Sequence, residues 1–174
     1  MTSEWLPAVT LAAGAAGTFA AQLLRERFTS GRDREARRAE REVARDAFQR
    51  ETLLELQDAM LRVVRTTTLL RINHRTVYAS NGTYAREADP PGMSEEFREA
   101  VAIAARLRQR VLDDDLRQRM QDVRGLCTQI VSPPETGETD EQAARRAEDE
   151  SNRLAHEYSD LEDHLGEVLR ARLR

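Results

Sequence analysis

The 174-residue chain contains no lysine; all 27 of its basic side chains are Arg. With its heavy use of Ala, that points to a GC-rich coding sequence, as in a high-GC bacterium or one of its phages. It has one cysteine, Cys127, so no intramolecular disulfide can form, in keeping with a reducing cytoplasm. Aromatic residues make up 5% of the chain, and eight Gly and five Pro are confined to a few places. A sheet protein draws on more aromatic residues and more frequent turns, so this composition points to helices. The formal net charge of −4 gives no overall basic footprint, and nucleic acid is not expected as a partner. P-loop, GxGxxG, GxSxG and HExxH patterns do not occur, which points away from the enzyme classes that use them.

Charge is also missing from Trp5 to Leu24, and then Arg25 and Arg27 follow closely. Twenty helical residues span about 30 Å, the thickness of a bilayer hydrocarbon core. The run reads as a single transmembrane helix whose membrane partner is lipid, with Trp5 at the interface and Pro7 in the first turn. It is weakly apolar, since seven residues are Ala and Thr10, Thr18 and Gln22 are polar. Ala13, Gly17 and Ala21 recur every four residues and form a smooth face suited to self-association. The tail Met1–Glu4 has no basic side chain, whereas Arg25, Arg27, Arg32 and Arg34 follow the run. The positive-inside rule then places the N-terminus outside the cell membrane and the rest of the chain in the cytoplasm. A cleaved signal peptide would need a basic start, which is lacking.

Beyond this run the spacing is helical. Residues 25–47 read as an Arg/Glu-rich stalk with surface pairs such as Asp33–Arg37 and Asp46–Arg50, and Phe28 to Gly31 reads as a hinge. From residue 48 apolar positions alternate by three and four. Leu53, Leu56, Met60, Val63, Thr67 and Leu70 form a seam, with Leu54, Leu61 and Val64 widening its core-facing stripe. A second seam is Leu154, Tyr158, Leu161, Leu165 and Val168. Expected helices cover about 48–79, 94–112, 115–131 and 140–171. The breaks fall at Ser80-Asn81-Gly82, Asp89-Pro90-Pro91-Gly92, Asp113–Asp115 and Ser132-Pro133-Pro134. Ser94 is the expected cap of the second helix, and Thr139 with Gln142 has capping-box spacing for the last. The fold class is therefore all-α: an N-terminal transmembrane helix, a charged helical stalk and an antiparallel bundle of three to four helices, residues 48–174.

Candidate chemical groups give little. His156 and His164 lie eight residues apart on one helix, about 12 Å, too far to share a metal ion even with Asp160 between them. Cys127 sits on an apolar stripe with no activating base in any motif. Asp113–Asp115 lacks the DxDxDG cation-loop pattern and reads as a helix start, and Asn81-Gly82-Thr83 reads as a turn. No catalytic, cofactor-binding or metal residue is assigned, and no cofactor is expected.

The Trp-led Gly/Ala-rich span, followed by Arg34-Glu35-Ala36-Arg37-Arg38-Ala39-Glu40-Arg41, resembles a loose group of uncharacterised actinobacterial single-pass membrane proteins with a cytoplasmic helical domain. The likeness is one of architecture; it covers the first 60 residues best and implies no activity. The expected function is a membrane-tethered interaction or scaffold module without catalysis. Its partner is an unidentified protein or a second copy of the chain, so a homo-oligomer is allowed. Two alternatives are a phage-type lysis or membrane-perturbing protein, and a soluble helical regulator with a buried first helix.

Overall fold

A computed structural model describes the backbone of residues 6–85 and 89–172, with side chains from residue 34 onward. The proposed anchor face of Ala13, Gly17 and Ala21, the basic pair Arg25 and Arg27, and Trp5 lie outside the described side chains. Among the described residues there are four helices and no strand: α1 (Leu6–Asn81), α2 (Met93–Arg108), α3 (Asp114–Val131) and α4 (Asp140–Ala171). No helix of the described residues is long and apolar enough to cross a membrane. The chain divides into two compact units, Met1–Asp46 and Ala47–Arg174.

The backbone of α1 is helical through Phe28 to Gly31, so the expected hinge is not a helix break. One glycine in a helix interior costs only about 1 kcal/mol relative to Ala, which neighbouring turns can offset. α1 ends where Gly82 takes a left-handed φ of 75° and its N–H bonds back to the Tyr78 carbonyl at 2.9 Å. The Asn81 side chain then accepts from the Thr83 N–H at 2.9 Å and turns the chain.

α2 begins one residue before Ser94. Gly92 occupies its N-cap in a left-handed conformation, and no side chain caps the helix. The Ser94 hydroxyl is turned instead to the Asp89 carboxylate. α2 also stops at Arg108 rather than near 112. A tight turn follows and buries Val111 as a separate plug. Asp113 caps α3 by accepting from the Leu116 N–H at 2.8 Å, with Asp114 and Asp115 at the positive end of the dipole. Thr139 and Gln142 close a capping box at the start of α4.

The helices of the Ala47–Arg174 unit run antiparallel. Gln129 at the end of α3 meets Arg146 near the start of α4, while His164 near the end of α4 meets Asp113 at the head of α3. Likewise Arg71 of α1 pairs with Glu148 of α4, and Leu56 and Met60 lie against Leu161 and Leu165. One apolar core joins Leu53, Leu56, Met60 and Val63 with Ala100, Ala104, Leu116, Met120, Val123, Cys127, Ile130, Leu154, Leu161 and Leu165. Tyr158 and Val168 are half-buried at its edge. Leu70 is buried. Thr66 and Thr67 are buried with their hydroxyls bonded to carbonyls one turn back, which lets a polar side chain lie on the inner face.

Gln49 fixes where the bundle starts. It is buried, its Nε2 donates to the Arg110 carbonyl at 2.8 Å, and its Oε1 accepts from the Leu112 N–H at 3.3 Å. One side chain thus bonds both a carbonyl and an N–H of the turn.

Candidate interaction surface

Within the Ala47–Arg174 unit, α1 has two apolar faces. Leu53 is 1% exposed, but its neighbour Leu54 is 47% exposed, and Leu61 is 53% exposed. Leu54 and Leu61 therefore do not widen the core-facing stripe; Val64, half-buried against the core, does. The reason is angular. At about 3.6 residues per turn, Leu54 is half a turn away from Leu56 and from Val63, whose side chains point into the bundle.

One further exposed apolar residue falls on the same outward line, Ile72 at 51%; Leu69, at 41%, lies beside the line at the angle of Glu51. Leu54 and Leu61 are two turns apart, and Leu54 and Ile72 are five. The line begins at exposed Ala47 and is flanked on one side by Arg50, Gln57, Thr68 and Arg75, and on the other by Glu51, Asp58 and Thr76, all exposed. Leu54, Leu61 and Ile72 align over about 27 Å of one helix, with Arg65 between Leu61 and Ile72.

The second candidate is a polar cluster between α1 and the loop after it. His74 is 4% exposed, and its Nε2 lies 2.7 Å from Asp89 Oδ1; Ser94 Oγ donates to the other oxygen of the same carboxylate. Asp89 stands between the other two, so the hydroxyl does not touch the imidazole and no base-activated nucleophile is assembled. Tyr84 packs its ring edge on His74 with centroids 5.5 Å apart, and its hydroxyl donates to the Ile130 carbonyl at 3.1 Å. Its backbone N–H donates to Asp140 Oδ1 at 2.9 Å. Burial pushes the Tyr84 hydroxyl up to about 12, against a smaller opposing pull from Arg146 and Arg71. The cluster is a staple that ties the loop to α1, α3 and α4. The sequence marks this segment only as a loop between helices; one aromatic among polar turn residues is the signal that Tyr84 is buried.

Beside it, a groove of about 420 Å³ is lined by Arg71, Arg75, Tyr78, Tyr84, Arg145 and Glu148, among others. Arg71 pairs with Glu148 at 2.8 Å, Arg75 approaches the same oxygen at 3.5 Å, and Arg145 is paired with Glu141. Two carboxylates thus face three arginines, and Arg71 and Arg75 share one of them, so the groove keeps an excess of one positive charge.

His156 bonds to the Asn152 carbonyl one turn back, away from any carboxylate cluster. His164 faces Asp113 at 3.4 Å and Asp115 at 3.5 Å across the α3–α4 junction. Among the described residues no group of His, Cys, Asp or Glu has the arrangement to hold a metal ion. Cys127 is fully buried, and desolvation pushes its thiol up to about 11, which keeps it protonated and unreactive.

Comparison of the chain with protein-family models, with curated proteins and with solved structures finds no match in any of the three.

Proposed function

We propose that the chain is a membrane-tethered helical interaction module without catalytic activity. Residues 5–24 form its anchor, the N-terminus lies outside, Arg25 and Arg27 sit at the cytoplasmic interface, and residues 47–174 form the partner-binding bundle. The observation that carries the reading is the uncharged twenty-residue run that ends at two arginines. The exposed Leu54, Leu61 and Ile72 on the outward line of α1, with Leu69 beside them, support the second half of it, because aligned exposed apolar side chains suit a protein partner.

Fractionation tests it. The full chain and a chain lacking residues 1–30, each with a C-terminal tag, are expressed and their membranes washed with high salt and then with alkali. The full chain should stay in the pellet while the shortened one is soluble and helical by circular dichroism. A soluble full chain with an aggregating shortened one would overturn the proposal. Residues 5–24 would then be a buried protein helix, a reading their many small side chains favour.

A further inference from the structure

We infer that the groove between α1 and α4 binds a small organic carboxylate, an acid of one negative charge carried on a flat apolar body. The site lies wholly within the Ala47–Arg174 unit, so it stands or falls apart from the anchoring of the chain.

The charge of the ligand follows from how the arginines are shared. Arg145 and Glu141, one turn apart on α4, form an exposed pair of their own. Glu148 serves two guanidiniums with one oxygen: Arg71 Nη1 donates to Oε2 at 2.8 Å, and Arg75 Nη1 stands 3.5 Å from the same atom. One carboxylate cannot neutralise both, so the surplus positive charge belongs to Arg71 and Arg75, which are one turn apart on α1 and repel each other. Arg71 is also under-bonded, because its Nε–H is buried without a hydrogen-bond partner. Among the described residues neither the Arg75 side chain nor the Tyr78 hydroxyl makes a hydrogen bond, so both keep donors for a ligand.

The local field has the same sign. Burial is the largest influence on the Tyr84 hydroxyl at the groove wall; next come Arg146 and Arg71, and each acts more strongly than Glu148. The charges that reach this wall are positive in sum.

Shape sets the rest of the ligand. The volume of about 420 Å³ falls within the range of small-molecule sites. Apart from its charged groups the groove is lined by Tyr78, Tyr84, Ala144 and Ala147. The two tyrosine rings meet edge to face with centroids 6.5 Å apart, which holds the half-buried Tyr78 in place as an apolar wall. A carboxylate offers two oxygens to a guanidinium fork, and its one charge cancels the one surplus charge. A dianion would leave a negative charge uncompensated beside Glu141 and Glu148. A neutral ring would leave the surplus as it is.

The test is a titration of the full chain in nonionic detergent, with isotopically labelled arginine, at neutral pH and low temperature. The probe is 2-naphthoate, and the Nε–H resonances of the arginines are followed by NMR, so uptake of the probe by micelles does not register. The Arg71 and Arg75 signals are assigned by their loss in Arg71→Lys and Arg75→Gln. Both should shift together and saturate at about millimolar 2-naphthoate. The neutral 2-naphthamide should bind at least about tenfold more weakly, and 2-naphthyl phosphate no more tightly than 2-naphthoate. Arg75 has a side chain 70% exposed, so Arg75→Gln spares the fold. It removes the surplus charge and should weaken binding about tenfold, read from the Arg71 signal. Glu148→Gln enlarges the surplus and should tighten binding several-fold. Labelling of buried Cys127 at the parent rate shows that each variant is folded. The inference is overturned by the absence of a saturable shift at Arg71 and Arg75, by 2-naphthamide binding as tightly as 2-naphthoate, or by tighter binding of the phosphate. Unchanged affinity in Arg75→Gln, or weaker binding in Glu148→Gln, overturns it equally.

Discussion

Leu53 and Leu54 are adjacent in one helix, and replacing each in turn by Ala separates burial from every local effect. The change in helix propensity is common to both positions. Leu53 is 1% exposed and packed in the core, so Leu53→Ala loses transfer energy and leaves a cavity, together about 2–5 kcal/mol. Leu54 is 47% exposed and faces away, so Leu54→Ala falls within about 0.5 kcal/mol, the range of ordinary surface changes. Cys127 supplies the assay. It is the only thiol and fully buried, and it reacts with a thiol reagent only when the bundle opens. Where opening and closing are fast relative to labelling, the rate follows the open population. A loss of 3 kcal/mol then raises labelling about a hundredfold, since each 1.4 kcal/mol is a factor of ten. In dilute detergent, where copies are apart, Leu53→Ala should label about a hundred times faster than the parent chain and Leu54→Ala no more than about threefold faster. Equal rates for the two variants would refute the assignment of the α1 faces.

Gln49→Ala removes both bonds to the Arg110–Leu112 turn and should cost about 1–3 kcal/mol, seen as a roughly five- to hundredfold rise in Cys127 labelling. Thr139→Ala opens the capping box of α4 and should cost about 1 kcal/mol, whereas Thr139→Ser should restore most of it; the midpoint in urea reads both. The Asp113 carboxyl is held below its usual range, first by the Leu116 N–H and then by His164. Its folded value being depressed, its contribution is present above the unfolded value and is lost as pH falls through the folded one. Asp113→Asn keeps a capping oxygen but cannot titrate, so the stability difference between the parent and this variant should shrink between about pH 5 and 2 in acid unfolding. A difference that does not change with pH would refute the role given to the carboxylate.

What the sequence made legible follows from the range over which each signal acts. The all-helical class and the Thr139–Gln142 box are written in spacings of three and four residues, and chain neighbours alone decide them. Leu54 and Leu61 were misplaced because periodicity gives the angle between residues on a helix but not the direction of the bundle. With apolar residues on both faces of α1, only the packed partners from α2, α3 and α4 show which face is inner. Tyr84 and Gln49 escaped because each is buried by elements far along the chain: Ile130 and Asp140 for the first, the Arg110 turn for the second. The start of α2 differed because Asp89 engages Ser94, and a distant imidazole, His74, holds that carboxylate. The outward face of α1 was visible as leucines but not as a surface.

The antiparallel pairing of α1 with α4 also has a consequence in time. Met60 meets Leu161, so about 100 residues must leave the ribosome after the inner face of α1 before its α4 partner exists. At roughly 5–20 residues per second that interval lasts about 5–20 s. Throughout it only α2 and α3 can cover Leu53, Leu56, Met60 and Val63, on a helix whose opposite face is also apolar. α3 and α4, joined by eight residues, need no such wait and can pair as soon as both are made. Synthesis therefore leaves the cover of α1 incomplete until the α3–α4 hairpin forms.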